Sequence, residues 1–507
     1  MTYFQKLLVA AAIAVVLPST AIDASAQNVF VVTSAGDGVD VSPGNGVCAA
    51  SGSVCTLRAA IQEANAYPGG DIIRFAIGSG ARTINLSSGL PTVTEAVLID
   101  GWTQPGFAGT PLIDINGAGR PGLALTGGNS VVRGLVLRNL NGHALVLTGG
   151  NGYVVAGNYI GMMPNGRTPS PNNGYGIVVF ESSNNRIGGT AAVQANLISK
   201  NTLTGPGGGI VLIGSNGNTI QGNLIGTDIS GMVAQPNEGR GVALIDSSDN
   251  LIGGPDAGAA NVISGNRRTG VRISGLSNNN VIQANLIGAN RDLTGVLPND
   301  RGVQILDGGN NKVLANLIFG NSYDGVMLWE ASNTLIEGNA IAYNGYGPAD
   351  GEEPGFFGVW VVSGTGNQVL TNQIFGNFHL GINLNDDLVT PNDLADADAG
   401  ANNSQNHPTI LGADRLGTVT LVTGSLATRP NGLYRVQFFA NPTCDAPTGV
   451  GEGQYYLGEA MVPTNAAGGG AFSFVFNALL PVGWAVSGTT TDPTGNTSEF
   501  APCRNVR

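Results

Sequence analysis

The residues with the clearest capacity for chemistry are Arg272, Asp307 and Glu330, which recur at related places in a repeated pattern. The two acids stand at the fifth place after a Gly in consecutive repeats, and Arg272 stands at the second place one repeat earlier. Parallel strands stack about 4.8 Å apart, so stacked repeats would bring the two carboxylates together. Carboxylates about 5 Å apart suit a retaining glycosidase, and a wider pair suits an inverting one. The alternative is that these acids are solvated residues at the corners between strands.

Four other residues, Gln304, Met327, Trp329 and Trp360, occupy outward places of the same repeats and are the predicted contacts to a ligand. Aromatic rings such as those of Trp329 and Trp360 can stack on sugar rings. An outward face with this many apolar side chains is unusual in a soluble protein. Two interpretations stay open. The face is a platform for a polysaccharide or surface glycan, or it is covered by a folded-back loop or by a second copy in a homo-oligomer.

A further cluster of oxygen-bearing side chains, Asp393, Asp396, Asp398 and Asn402, brackets Gly400. Oxygen ligands at alternate positions beside a Gly resemble a calcium loop. The Gly falls one place early for an EF-hand and no Glu closes the site, so the pattern departs from that motif. The loop is therefore predicted to bind calcium or, as the alternative, to form a hydrogen-bonded turn rich in Asp and Asn.

The elements that position these residues are short apolar strands that recur from about residue 134 to 385. Each repeat opens with a Gly, and these are Gly176, Gly209, Gly241, Gly270, Gly302, Gly325, Gly358 and Gly381. The closest pairs, 302 with 325 and 358 with 381, are 23 residues apart, and longer spacings indicate insertions. Without a 3.6-residue period, the pattern predicts an all-β parallel solenoid of about eleven coils. Positions one and three after each Gly should face the core, and positions two and four should face outward.

Two lines of Asn residues accompany the strands. The first is Asn184, Asn218, Asn250, Asn280, Asn311, Asn333 and Asn367, and the second is Asn223, Asn285, Asn316, Asn339 and Asn372. Asn tolerates the left-handed conformation of a tight corner, and stacked amides can satisfy one another and the backbone. The lines are therefore predicted to be structural ladders at the corners of the coils.

The two ends of the chain differ from the repeats. Apolar residues at 57, 60, 61 and 64 form a helical stripe with Thr56 as a plausible N-cap, and this helix is predicted to cover the open end of the solenoid. Residues 408–507 instead alternate apolar and polar side chains in roughly seven strands, which predicts a small antiparallel β-sandwich.

The net charge, the N-terminal segment and the cysteines indicate which partners the protein can bind and in which compartment it works. With 22 basic and 34 acidic residues the net charge is −12, which makes nucleic acid an improbable partner. Residues 1–26 combine a charged start, a short apolar run and a small-residue cleavage site, so they are predicted to be a secretory signal peptide, and no other stretch could span a membrane. Export favours disulfides within the pairs Cys48 with Cys55 and Cys444 with Cys503.

The run Cys55-Thr-Leu-Arg-Ala-Ala-Ile resembles the C-S-L-R-E-A-I signature of a large group of secreted bacterial right-handed parallel β-helix proteins, with departures at Thr56 and Ala59. The repeats look like those of that group, whose fold is pectin-lyase-like. This resemblance implies a cap over 27–70, a right-handed parallel β-helix over 71–407 and an Ig-like sandwich over 408–507. It implies little about activity, because the architecture hosts lyases, hydrolases, epimerases and adhesins.

Together these features predict a secreted protein, periplasmic or extracellular, that binds an extended polysaccharide along one face without catalysis. The first alternative is a polysaccharide lyase or glycoside hydrolase that uses Arg272, Asp307 and Glu330. The second is a structural or adhesive oligomer that associates through the apolar face.

Overall fold

The computed structural model describes residues 28–202, 207–347, 356–385, 387–444 and 448–507. The signal peptide predicted over 1–26 lies outside the described residues. From residue 71 to 384 the described chain winds into coils, and nearly every coil contributes one short strand to each of three parallel sheets. The predicted parallel solenoid is confirmed.

The three sheets run the length of the solenoid. The first contains Val29–Val32, Asp71–Phe75, Val97–Asp100, Val131–Arg133, Val154–Ala156, Arg186–Gly188, Thr219–Gln221, Leu251–Gly253, Val281–Gln283, Lys312–Leu314, Leu335–Glu337 and Gln368–Leu370. The second contains Arg82–Asn85, Ile113–Asn116, Leu135–Arg138, Tyr159–Ile160, Leu197–Ile198, Leu224–Ile225, Val262–Ile263, Leu286–Ile287, Leu317–Phe319, Ala340–Ala342 and Gln373–Phe375. The third contains Leu123–Leu125, Leu145–Thr148, Ile177–Phe180, Ile210–Ile213, Val242–Ile245, Val271–Ser274, Val303–Leu306, Val326–Trp329, Val359–Val361 and Ile382–Leu384.

Residues at equivalent positions of neighbouring coils pair in register. In the third sheet Val271 pairs with Val303, which pairs with Val326. The side chains at positions one and three after each opening Gly are fully buried and form one continuous core with the inward residues of the other two sheets. The predicted inward positions are therefore confirmed.

Three buried Asn ladders hold the corners, and the first differs from its prediction. Its members include Asn185, Asn218 and Asn250, each donating its amide N–H to the Oδ1 of the next member at 2.8 to 3.0 Å. Asn184 and Asn333 instead have positive φ and stand one place before the ladder, because the sharp turn falls on that residue. The five predicted members of the second ladder are confirmed, and Asn158, Asn196 and Asn261 also belong to it. A third, which the sequence patterns did not reveal, contains Asn172, Asn201, Asn237, Asn266, Asn299, Asn321, Asn344 and Asn377.

Insertions between second-sheet and third-sheet strands stack on one another. Ile229 donates its backbone N–H to Gly166 O at 2.9 Å, and Arg291 donates to Gly231 O at 3.0 Å. Ile229 also packs with outward residues of the second sheet, including Tyr159. These insertions therefore cover part of the outer face of the second sheet.

The predicted N-terminal helix is present at Leu57–Ala66, and the Thr56 side chain caps it by accepting the Ala59 N–H. Leu57, Ala60 and Ile61 join the solenoid core, so the helix covers the first coil. The short 3-10 helices lie at Gly101–Thr103, Ala192–Gln194, Leu394–Asp396 and Ala401–Ser404. Both predicted disulfides, Cys48–Cys55 and Cys444–Cys503, are formed.

The C-terminal segment is an antiparallel β-sandwich. One sheet contains Thr409–Leu416, Val419–Ala427 and Gly469–Phe476, and the other contains Tyr455–Pro463, Leu433–Asn441, Ala485–Thr491 and Arg504–Asn505. The last strand of each solenoid sheet is met by a different part of this sandwich. Thr497 Oγ1 accepts the Val369 N–H at 3.0 Å, Gly453 exchanges backbone hydrogen bonds with Ile374, and Glu499 accepts the Leu384 N–H. The sandwich thus satisfies backbone groups that an open solenoid end would leave unpaired.

Candidate functional site

The outer face of the third sheet carries a line of partly exposed apolar side chains at position four of successive coils. We call this line the outer strip; it consists of Phe180, Ile213, Ile245, Leu306 and Trp329, with Ser274 between Ile245 and Leu306. Trp329 is 49% exposed and Phe180 is 41% exposed. Six rungs spaced about 4.8 Å apart make the strip about 24 Å long. Its axis follows the solenoid, so it can accompany an extended ligand.

Position two of the same sheet is different, because most of its side chains are buried within the chain. Trp360 is 3% exposed; its Nε1–H donates to Asn385 O at 2.6 Å and its ring lies against Phe357. Met327 is also 3% exposed. Trp360 and Met327 are therefore buried where the prediction of ligand contact required exposed side chains, whereas Gln304 is partly exposed.

Asp307 and Glu330 lie on consecutive coils, as predicted: the Asp307 N–H donates to Trp329 O at 2.9 Å. Both are exposed, and both have left-handed backbones, with φ of 64° and 52°. Glu181 and Asp246 occupy the same position in earlier coils and are left-handed too. These acids therefore form the corner where the chain leaves the third sheet, which agrees with the alternative of solvated corner residues.

Arg272 lies on the same face but near the opposite edge, where it is joined by Arg240, a residue that the sequence patterns did not single out. Both are partly buried, and within the described part of the chain neither forms an ion pair and the buried Nε of each has no hydrogen-bond partner. Burial, with a smaller contribution from the charge of Arg272, lowers the pKa of Arg240 to about 10. Burial also lowers the pKa of Arg272, and Arg268 adds to this effect, whereas Asp307 opposes it. Both guanidinium groups remain charged at neutral pH.

Tyr175 lies close to these arginines, and His143 lies beside Tyr175. Tyr175 packs beside the outward residues Val178, Val211 and Ala243 in a small apolar cluster. Burial raises the pKa of Tyr175, and the charges of Arg240 and Arg272 oppose that rise, so the phenol lies within their electrostatic reach. The Tyr175 N–H donates to His143 Nδ1 at 3.1 Å, and burial lowers the pKa of His143. His143 is therefore mainly neutral at pH 7.

The predicted calcium loop brings three acids together. One carboxylate oxygen from each of Asp393, Asp396 and Asp398 lies within 4.8 Å of the others. Asp396 is buried, and its oxygens accept the Asn406 N–H at 2.7 Å and the Thr428 hydroxyl at 2.9 Å. Burial raises the pKa of both Asp396 and Asp398. Oxygen donors suit calcium, although three fall short of the six to eight ligands it takes, and calcium binding stays a prediction.

Contrary to the prediction, Asn402 does not contribute to this cluster. Its amide donates to Asn367 O at 2.7 Å and to Thr497 O at 3.0 Å, and its Oδ1 accepts the Asn367 N–H. Its hydrogen-bonding groups are therefore occupied in continuing the first Asn ladder to the sandwich.

Comparison with known proteins gives two family-model matches. Residues 226–389 match the model described as right handed beta helix region, and residues 126–298 match that of the periplasmic copper-binding protein NosD. Copper favours imidazole and sulfur ligands. Within the described residues, the one group of three or more His, Cys, Asp or Glu side chains close enough to hold a metal is that of Asp393, Asp396 and Asp398, which offers oxygen ligands.

Solved structures with similar architecture include the periplasmic alginate epimerase AlgG, at 16% identity over 60% of this chain and 69% of that chain, with a TM-score of 0.38. Tailspike protein 2 of an Escherichia coli O157:H7 bacteriophage is 9% identical over 88% of this chain and 65% of that chain, with a TM-score of 0.37. PfbA, a surface adhesin of Streptococcus pneumoniae, is 11% identical over 68% and 72%, with a TM-score of 0.24. No curated protein matches.

No helix in the described ranges is both long and apolar enough to cross a bilayer. The resemblance to the group with the C-S-L-R-E-A-I signature stays a prediction. The three stacked parallel sheets and the match to a right-handed β-helix region identify the fold as the right-handed parallel β-helix of pectin-lyase-like proteins.

Proposed function

We propose that this is an exported protein that holds an extended polysaccharide along the outer face of the third sheet without cleaving it. The observation that supports this most strongly is the outer strip, where five of six successive rungs carry an apolar or aromatic side chain and the last is the half-exposed ring of Trp329. Exposed apolar surface of this kind marks interaction sites in soluble proteins.

The shape of the strip favours a polymer over a small molecule. A small ligand is usually enclosed by a concave pocket, whereas the strip is an open line that follows the solenoid axis. Five of the six rungs add an apolar contact, so a ligand with its own repeat can meet several coils at once. Partial exposure of Trp329 allows its ring to stack on a sugar while its edge stays packed on the sheet.

Export is supported by the two disulfides and by the predicted signal peptide. Disulfides persist in oxidising compartments, and Cys48–Cys55 and Cys444–Cys503 account for all four cysteines of the chain. An extracellular or periplasmic protein would meet polysaccharides directly.

The test is glycan binding by a Trp329→Ala variant. We expect the wild-type protein to migrate more slowly in gels that contain a polysaccharide to which it binds. The Trp329→Ala variant should bind that polysaccharide at least tenfold more weakly. Tyr343→Ala is the matched control, because Tyr343 is 47% exposed but follows a strand of the second sheet. Equal loss of binding in both variants, or no loss in either, would place the ligand elsewhere.

Catalysis is the second candidate, because coil stacking places Asp307 and Glu330 on consecutive coils. Assays for new reducing ends and for unsaturated uronate products over a polysaccharide panel would detect it. Activity that disappears in the Asp307→Asn, Glu330→Gln double variant would establish these carboxylates as catalytic and overturn the non-catalytic proposal.

Self-association through this face has less support, since much of the apolar surface that a partner copy would cover is already buried. Val211 and Ala243 are 1% and 3% exposed in the single chain. We therefore expect a monomer by size-exclusion chromatography with light scattering. A stable dimer that Trp329→Arg dissociates would assign the outer strip to assembly instead.

A further inference from the structure

The edge of the third sheet near Arg240 and Arg272 carries positive charge without a counter-ion. A guanidinium presents five N–H donors, and burying any of them without an acceptor is unfavourable. Here two buried Nε atoms lack acceptors in the described structure. A ligand cannot reach a buried Nε, but both side chains are partly exposed, and their terminal N–H groups are free to meet an anion.

Most of the other partly or fully buried arginines of the described chain are paired with an acid, and Arg186, which is not, donates to Gly188 O at 3.2 Å. Arg58 meets Asp37 at 2.8 Å, Arg138 meets Asp114 at 2.7 Å and Arg301 meets Asp324 at 2.9 Å. The chain has an excess of acids, with a net charge of −12, so carboxylate partners are abundant elsewhere. The absence of an acid beside Arg240 and Arg272 is therefore a local feature.

The surroundings reinforce the local positive charge. Arg268 is exposed near Arg272 and within electrostatic reach of both other arginines. Asp307 is the acid whose charge acts on Arg272, but it forms no ion pair with it among the described residues. A Cβ on Gly208 would lie 2.5 Å from Arg240 O and 3.3 Å from Tyr175 Cε1, so the glycine lets the Tyr175 ring lie close to the Arg240 backbone.

The position of this edge relates it to the outer strip. Arg240 and Arg272 belong to neighbouring coils, since Ala243 pairs with Arg272. Arg272 pairs with Gln304, which pairs with Met327, so Trp329 lies two coils farther along the same face. Two coils correspond to about 10 Å along the axis. A single chain of sugars can therefore reach both the Trp329 ring and the arginines.

We infer that Arg240 and Arg272, with Arg268 at the rim, bind oxyanion groups of the polymer, so that the ligand is an acidic polysaccharide carrying uronate carboxylates or sulfate esters. This rests on the proposed function, because it names the substrate class of the same face. Guanidinium groups match the geometry of carboxylate and sulfate oxygens by paired N–H donors, which explains why arginine stands here.

The experiment uses ligands that differ only in charge. Polygalacturonate is compared with its fully methyl-esterified form by isothermal titration calorimetry against the mature protein, with dextran sulfate and neutral dextran as a second pair. We expect the charged member of at least one pair to bind at least tenfold more tightly. The pair that shows the difference distinguishes carboxylate from sulfate as the recognised group. Equal affinity for the charged and neutral members of both pairs would overturn the inference.

Variants locate the effect. Arg240→Gln and Arg272→Gln should each weaken binding of the charged ligand by roughly tenfold, the loss expected for one charge-assisted hydrogen bond. Arg267→Gln removes the same charge one residue from Arg268, where Arg267 faces Glu238 at 3.7 Å, and should change affinity less than twofold. Circular dichroism confirms that each variant is folded. If Arg267→Gln loses as much affinity as Arg272→Gln, the loss depends only on the net charge of the protein, and the inference is overturned.

The same data separate this inference from the proposed function. If Trp329→Ala weakens binding while Arg240→Gln and Arg272→Gln do not, the polysaccharide face stands and the acidic ligand is wrong. If no variant affects binding, both fail. Single-stranded DNA of comparable charge density is the last ligand, and binding as tight as that of the acidic polysaccharide would overturn the inference by showing unselective attraction to polyanions.

Discussion

Arg240 and Arg301 occupy equivalent places in the solenoid, immediately before the Gly that opens a third-sheet strand, in coils that are two apart. Arg301 pairs with the fully buried Asp324 at 2.9 Å, and Asp324 also accepts the N–H groups of Phe356 and Phe357. Arg240 has no acidic partner in the described structure. Arg301 therefore has its counter-ion within the protein. Arg240 has none in the described part of the chain, and we propose that the ligand provides it.

Loss of the Arg301–Asp324 ion pair should reduce the free energy of unfolding more than any other change proposed for this protein. Arg301→Met would leave the Asp324 carboxylate buried without its cation; burial already raises the pKa of Asp324, and Arg301 opposes that rise. Loss of one partner of a buried pair costs about 3–5 kcal/mol. Urea unfolding should therefore show a large drop in the free energy of unfolding. A loss no greater than that of Arg240→Met would contradict the distinction between the two arginines.

Glu499 is a buried acid without a paired cation among the described residues, in contrast to Asp324. Its carboxylate accepts hydrogen bonds from the N–H groups of Leu384 and Thr390 and from the Thr390 hydroxyl. Burial raises its pKa from 4.5 to about 7. Between these values the folded state keeps a proton that the unfolded state loses, so the free energy of unfolding should fall as pH rises, by on the order of 3 kcal/mol.

Urea unfolding of wild type and Glu499→Gln at several pH values between 4.5 and 7 measures this effect. The variant has no proton to lose at this position, so its stability should change less with pH across that window. A wild-type stability that increases steadily from pH 4.5 to 7, with the same slope in the variant, would show that Glu499 ionises as an ordinary exposed acid.

A smaller effect of opposite sign is expected for the unpaired arginines. Arg240→Met and Arg272→Met replace a buried donor that lacks an acceptor by an apolar side chain of similar length. We expect stability to be unchanged or to rise by about 1 kcal/mol, while binding of the acidic polysaccharide weakens by roughly tenfold. Thermal unfolding without ligand is the measurement. Destabilisation of both variants by several kcal/mol would mean that these arginines have structural partners.

The smallest expected effect concerns the opposite edge of the sheet. The Asp307→Asn, Glu330→Gln double variant removes two exposed negative charges near an anionic ligand, so affinity for an acidic polysaccharide should rise by twofold or less. No reducing ends should form with either protein. Titration calorimetry and the product assays check both statements, and a large loss of affinity would show that the carboxylates contact the ligand directly.

Much of the fold could be predicted from sequence because its local signals repeat. Positions one and three after each opening Gly are apolar in every coil, and the helix cap at Thr56 follows from local spacing. The third Asn ladder escaped notice because insertions of different lengths separate its members. The first was misplaced at Asn184 because adjacent Asn residues gave two possible registers, and only the stacked hydrogen bonds show that Asn185 is the member.

The site could be predicted only in part. Stacking placed Arg272, Asp307 and Glu330 on one face, as the repeat spacing required. Burial of Trp360 depends on Phe357 and on the turn after the last third-sheet strand, which no repeat encodes. Arg240 precedes its strand, and what distinguishes it is the lack of a partner, which is a property of three-dimensional packing.

The most direct measurement is a structure of the protein with a short oligomer of the acidic sugar that binds most tightly. We expect the oligomer to lie along the third sheet, with a carboxylate or sulfate oxygen about 2.7–2.9 Å from guanidinium nitrogens of Arg240 or Arg272 and a sugar ring on Trp329. An oligomer on the first or second sheet, or one whose charged groups contact neither arginine, would show that Arg240 and Arg272 do not bind an acidic polysaccharide.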